Sequence, residues 1–145
     1  MDRPIDWMIH YVTEKAKCSV CQKEPSPEYY GFEGFANIHT HGLNKHNNQR
    51  ELCIALDIGM DTAKSLINSM GVEVLYDRTV YTEGIRSDIL KGEYDVKFIS
   101  FDGDPTLYMI LPDPNNKFPG DDGCEAPYDK QEFYAKIISD DKGYV

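Results

Sequence analysis

Cysteine and histidine residues at short spacing are the features of this sequence with the clearest chemical meaning. Cys18 and Cys21 form a Cys-x-x-Cys pair, and His39 and His41 form a His-x-His pair. Cys124 lies far downstream, in a segment rich in proline, glycine and aspartate. Thiolate sulfur and imidazole nitrogen are the ligands that Zn²⁺ prefers. These five residues are therefore the candidate ligands of a zinc site.

The two pairs differ in how closely they match known zinc sites. A two-residue gap is the normal spacing for two thiolates on one structural zinc ion, whereas the usual gap between histidines is three to five residues. On a strand, however, His39 and His41 point to the same face and can approach one ion. The alternative is that both histidines cover a sheet face with ordinary hydrogen bonds. A redox role for Cys18 and Cys21 is disfavoured, because the pair is expected after a helix rather than at a helix N-terminus.

A catalytic arrangement is a second possibility for the same residues. His39, His41 and Cys124 would supply three protein ligands, which leaves the fourth position of the ion to water. A carboxylate such as Asp113 or Asp122 would then act as the base of a metal-dependent hydrolase. No other catalytic motif supports an enzyme, since the chain has neither a G-x-S-x-G sequence nor a phosphate-binding glycine loop.

The remaining histidines and the fourth cysteine are assigned ordinary roles from the sequence. His10 falls on a predicted helix and His46 in a polar loop, so both are expected to face solvent. Cys53 lies within an apolar run and is expected to be a small core residue.

Composition restricts the class of protein. The 145 residues fit one domain, 1–145, and 41% hydrophobic residues are typical of a folded chain. A net charge of −10 argues against a nucleic-acid partner and permits a basic protein partner or a cation. No apolar run is long enough to span a membrane, and the N-terminus lacks the pattern of a signal peptide, so a cytoplasmic location is expected.

The apolar pattern predicts an α+β domain with a mainly antiparallel sheet and three helices. The first helix is expected from Pro4 to Lys17, the central helix from Asp61 to a stop at Gly71, and the last from Tyr128 to Ile138. The expected strands are Phe35 to Leu43, Glu51 to Asp57, Val72 to Leu75, Arg78 to Thr82, Tyr94 to Phe101 and Leu107 to Leu111. The last two are expected to form an antiparallel hairpin, followed by an irregular loop over 112–127.

An ordered set of segments resembles a known family. The segments are Asn37 to Leu43, Glu51 to Leu56, Ser65 to Asn68, Ile110 to Pro119, and Cys124 to Tyr128 with Gln131. Together they resemble the bacterial domain of unknown function family 4262 over about residues 32–131, and the extension 1–31 with its Cys-x-x-Cys lies outside. The resemblance implies a small cytoplasmic bacterial protein of one α+β domain. It implies no activity and no catalytic residue.

The leading hypothesis is a non-enzymatic binding or regulatory domain that carries zinc. In it, Cys18 and Cys21 would tie the N-terminal segment to the strand bearing His39 and His41. The metal-dependent hydrolase is one alternative. The other is a metal-free acidic protein that binds a basic partner, as an inhibitor of a basic toxin would, because a strongly acidic chain steers such a partner toward it.

Overall fold

The structure, a computed structural model, describes residues 6–12 and 33–141. These residues form one six-stranded sheet and two α-helices. The strands are β1 (Met8–Val12), β2 (Phe35–His41), β3 (Leu52–Leu56), β4 (Gly84–Arg86), β5 (Val96–Ile99) and β6 (Leu107–Ile110). The helices are α1 (Met60–Asp77) and α2 (Gln131–Asp141), and short 3₁₀ turns cover Leu43–Lys45 and Tyr128–Lys130.

The strand order across the sheet is β1-β2-β3-β6-β5-β4. Every neighbouring pair is antiparallel except β3 and β6, which run parallel. The connection between those two includes α1, as a parallel pair requires a crossover. The sheet is therefore mixed but mainly antiparallel, and among the described residues β1 is an edge strand that pairs with β2 alone.

The two faces of the sheet pack against different helices. On one face, the helix α1 contributes a buried stripe of Ala63, Ile67, Met70 and Val74. On the other face, α2 buries Tyr134, Ala135 and Ile138 against Phe35, Cys53, Ala55 and Tyr108. Burial of apolar side chains on both faces stabilises the sheet between the two helices. We call the two faces the α1 face and the α2 face after the helix that packs on each.

The prediction of a helix from Pro4 to Lys17 is wrong over Met8–Val12, which is strand β1; residues 1–5 and 13–32 lie outside the described residues. Trp7, Ile9 and Tyr11 pack against the core of the α1 face. The intervening residues of β1 consequently point to the α2 face, because successive side chains of a strand alternate. The apolar segment that suggested a helix is so short that it fits both the 3.6-residue period of a helix and the two-residue period of a strand.

The central helix is longer than predicted. It begins at Met60, passes through Gly71 and ends at Asp77, where Arg78 adopts a left-handed conformation (φ 56°). Gly71 is not a stop signal: a Cβ added there would meet the ring of Trp7 at 2.2 Å, so glycine makes room for the indole. The strand predicted over Val72 to Leu75 is therefore helix, and no strand forms over Arg78 to Thr82.

The other predicted elements are confirmed within a few residues. They are the strands now labelled β2 and β3, the antiparallel hairpin of β5 and β6, the irregular loop 112–127 and the C-terminal helix α2. The short edge strand β4 was not predicted. Within 6–12 and 33–141, no helix has the length and apolar character needed to cross a membrane.

Candidate metal centre

Three histidines from two neighbouring strands meet on the α2 face of the sheet. His10 comes from β1, and His39 and His41 come from β2. One ring nitrogen of each lies within 4.8 Å of those of the other two. The ring centroids are 5.3 Å apart for His10 and His39, 4.2 Å for His10 and His41, and 4.9 Å for His39 and His41. The imidazoles therefore form a compact triangle, which we call the histidine triad.

The register of β1 and β2 creates the histidine triad. His10 lies directly opposite His39, and Met8 lies opposite His41. His39 and His41 are two residues apart on one strand and share a face, and a residue directly opposite another on the neighbouring strand shares that face as well. A shift of the register by one residue would turn His10 to the other side of the sheet.

Burial favours the neutral form of one member of the triad, His10. His10 is only 8% exposed, whereas His39 and His41 are partly exposed. Burial lowers the pKa of His10 below its usual value, and the nearby charge of His41 lowers it further. Because a metal binds the neutral imidazole, the protein presents His10 in the form a metal ion requires.

Asn37 orients His39 from behind. The distance from His39 Nδ1 to Asn37 Oδ1 is 2.9 Å, and the Cys53 thiol donates to the same oxygen at 3.4 Å. An amide oxygen only accepts, so His39 carries its hydrogen on Nδ1 and its lone pair on Nε2. Hydrogen bonds of this kind set the tautomer and orientation of histidines that ligate metals.

A carboxylate holds the end of β2 beside the triad. Glu51 accepts hydrogen bonds from the Thr40 hydroxyl at 2.7 Å and from the backbone N–H groups of Gly42 (2.9 Å) and Leu43 (3.0 Å). The turn that follows His41 is thereby tied to the start of β3. Three bonds to one ionised group make this a firm anchor for the strand that carries two of the histidines.

The triad is close to, but wider than, a closed coordination shell. In a tetrahedral zinc site with Zn–N bonds of about 2.0–2.1 Å, ligand nitrogens are about 3.3 Å apart. Nitrogens that lie up to 4.8 Å apart would therefore have to approach one another by about 1.5 Å at most to bind one such ion. All three ligands are imidazoles, a set that suits Zn²⁺, Cu, Ni or Fe rather than Mg²⁺ or Ca²⁺.

Cys124 does not join the histidines. The parallel strands β3 and β6 finish at the end of the sheet where β2 begins with Phe35. Strand β2 finishes with His41, at the opposite end of the strands. The loop 112–127 starts from the end of β6, and there the Cys124 thiol donates to the Lys117 carbonyl at 3.5 Å. Burial raises the pKa of this thiol, and the neighbouring carboxylates, led by Asp113, raise it further, which disfavours the thiolate that a metal needs.

The other predicted residues have separate positions. Cys18 and Cys21 lie outside the described residues. His46 contacts Asp6 through Nε2 at 2.6 Å, away from the triad. Cys53 is buried, as predicted.

Sequence reasoning missed His10 and wrongly placed it toward solvent. The signal that could have found it is the alternation of Trp7, Ile9 and Tyr11, which is the period of a strand. A strand at this position puts His10 on the face opposite those three side chains.

Comparison of the chain with protein-family models, with curated proteins and with solved structures found no match. The resemblance to the domain of unknown function family 4262 accordingly stays a prediction.

Proposed function

We propose that this chain is a small, non-enzymatic metal-binding domain whose histidine triad holds a late transition-metal ion, Zn²⁺ being the ion expected from the sequence. The observation that supports this function is the convergence of His10, His39 and His41, with ligand nitrogens within 4.8 Å of one another. A single histidine would be weak evidence for a metal site. Three converging imidazoles, one of them buried so that its neutral form is favoured, meet the requirements of a metal site.

The ion would fasten the edge strand to the sheet. Within 6–12 and 33–141, strand β1 pairs with β2 alone, and the triad takes one ligand from β1 and two from β2. A metal bound across this pair stabilises the docked strand, since the site exists only when the strands are paired. The structural role proposed for zinc therefore concerns the junction between the N-terminal segment and the rest of the domain.

The fourth coordination position belongs to Cys18 or Cys21 in the structural version of this proposal. Cys18 is six residues beyond Val12, and an extended chain of that length reaches up to about 20 Å. That reach is compatible with a thiolate closing the site. In this version replacing either cysteine lowers metal affinity and stability together.

The hydrolase and the metal-free alternatives have less support. The predicted hydrolase needs Cys124 and a carboxylate such as Asp113 or Asp122 beside the histidines. All three residues lie in the loop 112–127, which begins at the end of the strands away from His41. The net charge of −10 still suits a basic protein partner. We place the protein in the cytoplasm as part of the proposal.

The test is metal content and metal affinity of protein purified without a metal-affinity tag. Near-stoichiometric zinc in the natural chain, lost in His10→Gln and in His41→Gln, is the expected result. His46→Gln is the matched control, because His46 contacts Asp6 and lies outside the triad. Natural protein that binds neither Zn²⁺ nor another late transition metal above micromolar affinity would overturn the proposal and favour the acidic interaction protein.

A further inference from the structure

Met8 lies beside the histidine triad and offers a fourth ligand in place of the thiolate of Cys18 or Cys21. It lies directly opposite His41 on the paired strands β1 and β2. Its chain neighbours Trp7 and Ile9 pack against the core of the α1 face, so Met8 projects from the α2 face, where His10 and His41 also lie. Directly opposed residues have Cβ atoms about 5 Å apart, within the reach of a methionine side chain.

The exposure of Met8 leaves its side chain accessible to an ion from solvent. The residue is 54% exposed on β1, which is the outermost strand on its side among the described residues. An unbranched side chain with three rotatable bonds can turn its sulfur toward a neighbour without moving the backbone. Met8 is thus an exposed neighbour of the triad in the strand register, whereas His10 is its buried member.

We propose that the Met8 thioether completes the histidine triad as a fourth ligand and makes it an acceptor of Cu(I). This inference rests on the proposed metal-binding function and names the ion that the site selects. Soft thioether sulfur favours Cu(I), whereas Zn²⁺ binds three imidazoles and gains little from a neutral sulfur. Three neutral imidazoles and a thioether add no charge to the shell, which suits a monovalent ion.

The test compares Cu(I) and Zn²⁺ affinities, each by competition with a chromophoric chelator, under anaerobic reducing conditions for Cu(I). The chains carry Cys18→Ser and Cys21→Ser, so that their thiolates do not compete for Cu(I). Met8→Leu preserves size and apolarity, and Met60→Leu is the matched control, an exposed methionine at the start of α1. We expect Met8→Leu to weaken Cu(I) binding by about tenfold or more and Zn²⁺ binding by less than about threefold.

A second measurement uses the same Cys18→Ser and Cys21→Ser chain, so that the added Cu(I) is not taken up by those thiolates. With ε-¹³C-methyl methionine, one equivalent of Cu(I) should shift the Met8 methyl resonance, assigned through Met8→Leu, while Zn²⁺ should leave it in place. Equal losses for both ions, no loss for either, or an unmoved Met8 methyl would overturn the inference and leave the zinc site standing. Failure of the unsubstituted protein to bind either ion would overturn the proposed function and this inference together.

Discussion

His10 and His39 are direct cross-strand partners on β1 and β2, with ring centroids 5.3 Å apart, although they are far apart in the sequence. The pairing makes the site dependent on the docking of β1. A metal on the triad and the position of the N-terminal strand must therefore be thermodynamically linked.

The linkage predicts that metal stabilises the fold and the environment of Trp7 together. Trp7 is the only tryptophan, and its Nε1 donates to Asn68 Oδ1 at 2.9 Å, so its fluorescence reports the docking of the segment that leads into β1. Zn²⁺ at about 100 times its dissociation constant should raise the free energy of unfolding by about 2.7 kcal/mol. A chelator should reverse the gain and shift the Trp7 emission to the red. In His10→Gln neither change should appear; an equal gain in that variant would mean that the ion binds elsewhere.

Most of the fold could be predicted from the local pattern of apolar residues. Of the three histidines of the site, only His39 and His41 could be predicted as ligands. Strand alternation correctly placed His39 and His41 on one face, because both lie within one element. His10 was missed for two reasons. Its side-chain direction depends on whether the segment around it is a helix or a strand, and its place in the site depends on pairing with a strand beyond residue 33. Pairing between distant segments leaves little trace in a single sequence.

Two further errors have tertiary causes. Gly71 is a common helix-ending residue, but here it accommodates the indole of Trp7, so the helix continues to Asp77. Because β6 runs parallel to β3, the loop that contains Cys124 begins at the end of the strands away from His41. The apolar pattern of a strand does not show whether it pairs parallel or antiparallel. In both cases a contact between distant segments outweighed a local preference.

Asn37 should control metal affinity without touching the metal. Asn37→Leu removes the acceptor for His39 Nδ1 and for the Cys53 thiol, so His39 loses its fixed tautomer. We expect a fall in metal affinity of about 10- to 100-fold, the usual effect of losing such a hydrogen bond. Asn37→Asp keeps an acceptor oxygen and should retain the affinity. Competition titrations measure both; unchanged affinity in Asn37→Leu would show that His39 needs no partner for its orientation.

Gly71→Ala should destabilise the protein by crowding Trp7. The added Cβ would lie 2.2 Å from Trp7 Cζ2, and a rigid indole cannot yield without moving β1 or α1. Overpacking of this kind costs about 1–3 kcal/mol, against a gain of about 1 kcal/mol in helix propensity. Chemical denaturation gives the net loss. In a Trp7→Leu background the same substitution should cost less or stabilise; an equal cost in both backgrounds would contradict the contact.

Asp113 should make the loop 112–127 sensitive to acid. Its carboxylate accepts hydrogen bonds from the backbone N–H groups of Asn115 at 2.8 Å, Lys117 at 2.9 Å and Glu125 at 2.9 Å. Burial favours the neutral acid, but these three donors and the Lys117 charge outweigh it and hold the pKa of Asp113 below its usual value. The stabilising contribution is therefore present above the ordinary carboxyl pKa of about 4 and is lost as the pH falls through the lower folded value.

Asp113→Asn should accordingly be less stable than the natural protein at pH 7, and its stability should change less between about pH 4 and pH 2. Asp102→Asn is the control, since Asp102 is an exposed residue in the turn between β5 and β6. Urea denaturation across this pH range gives both quantities. Parallel stability curves for the natural chain and Asp113→Asn would show that Asp113 has the same proton affinity in the folded and unfolded states. The three backbone donors would then not favour its ionised form.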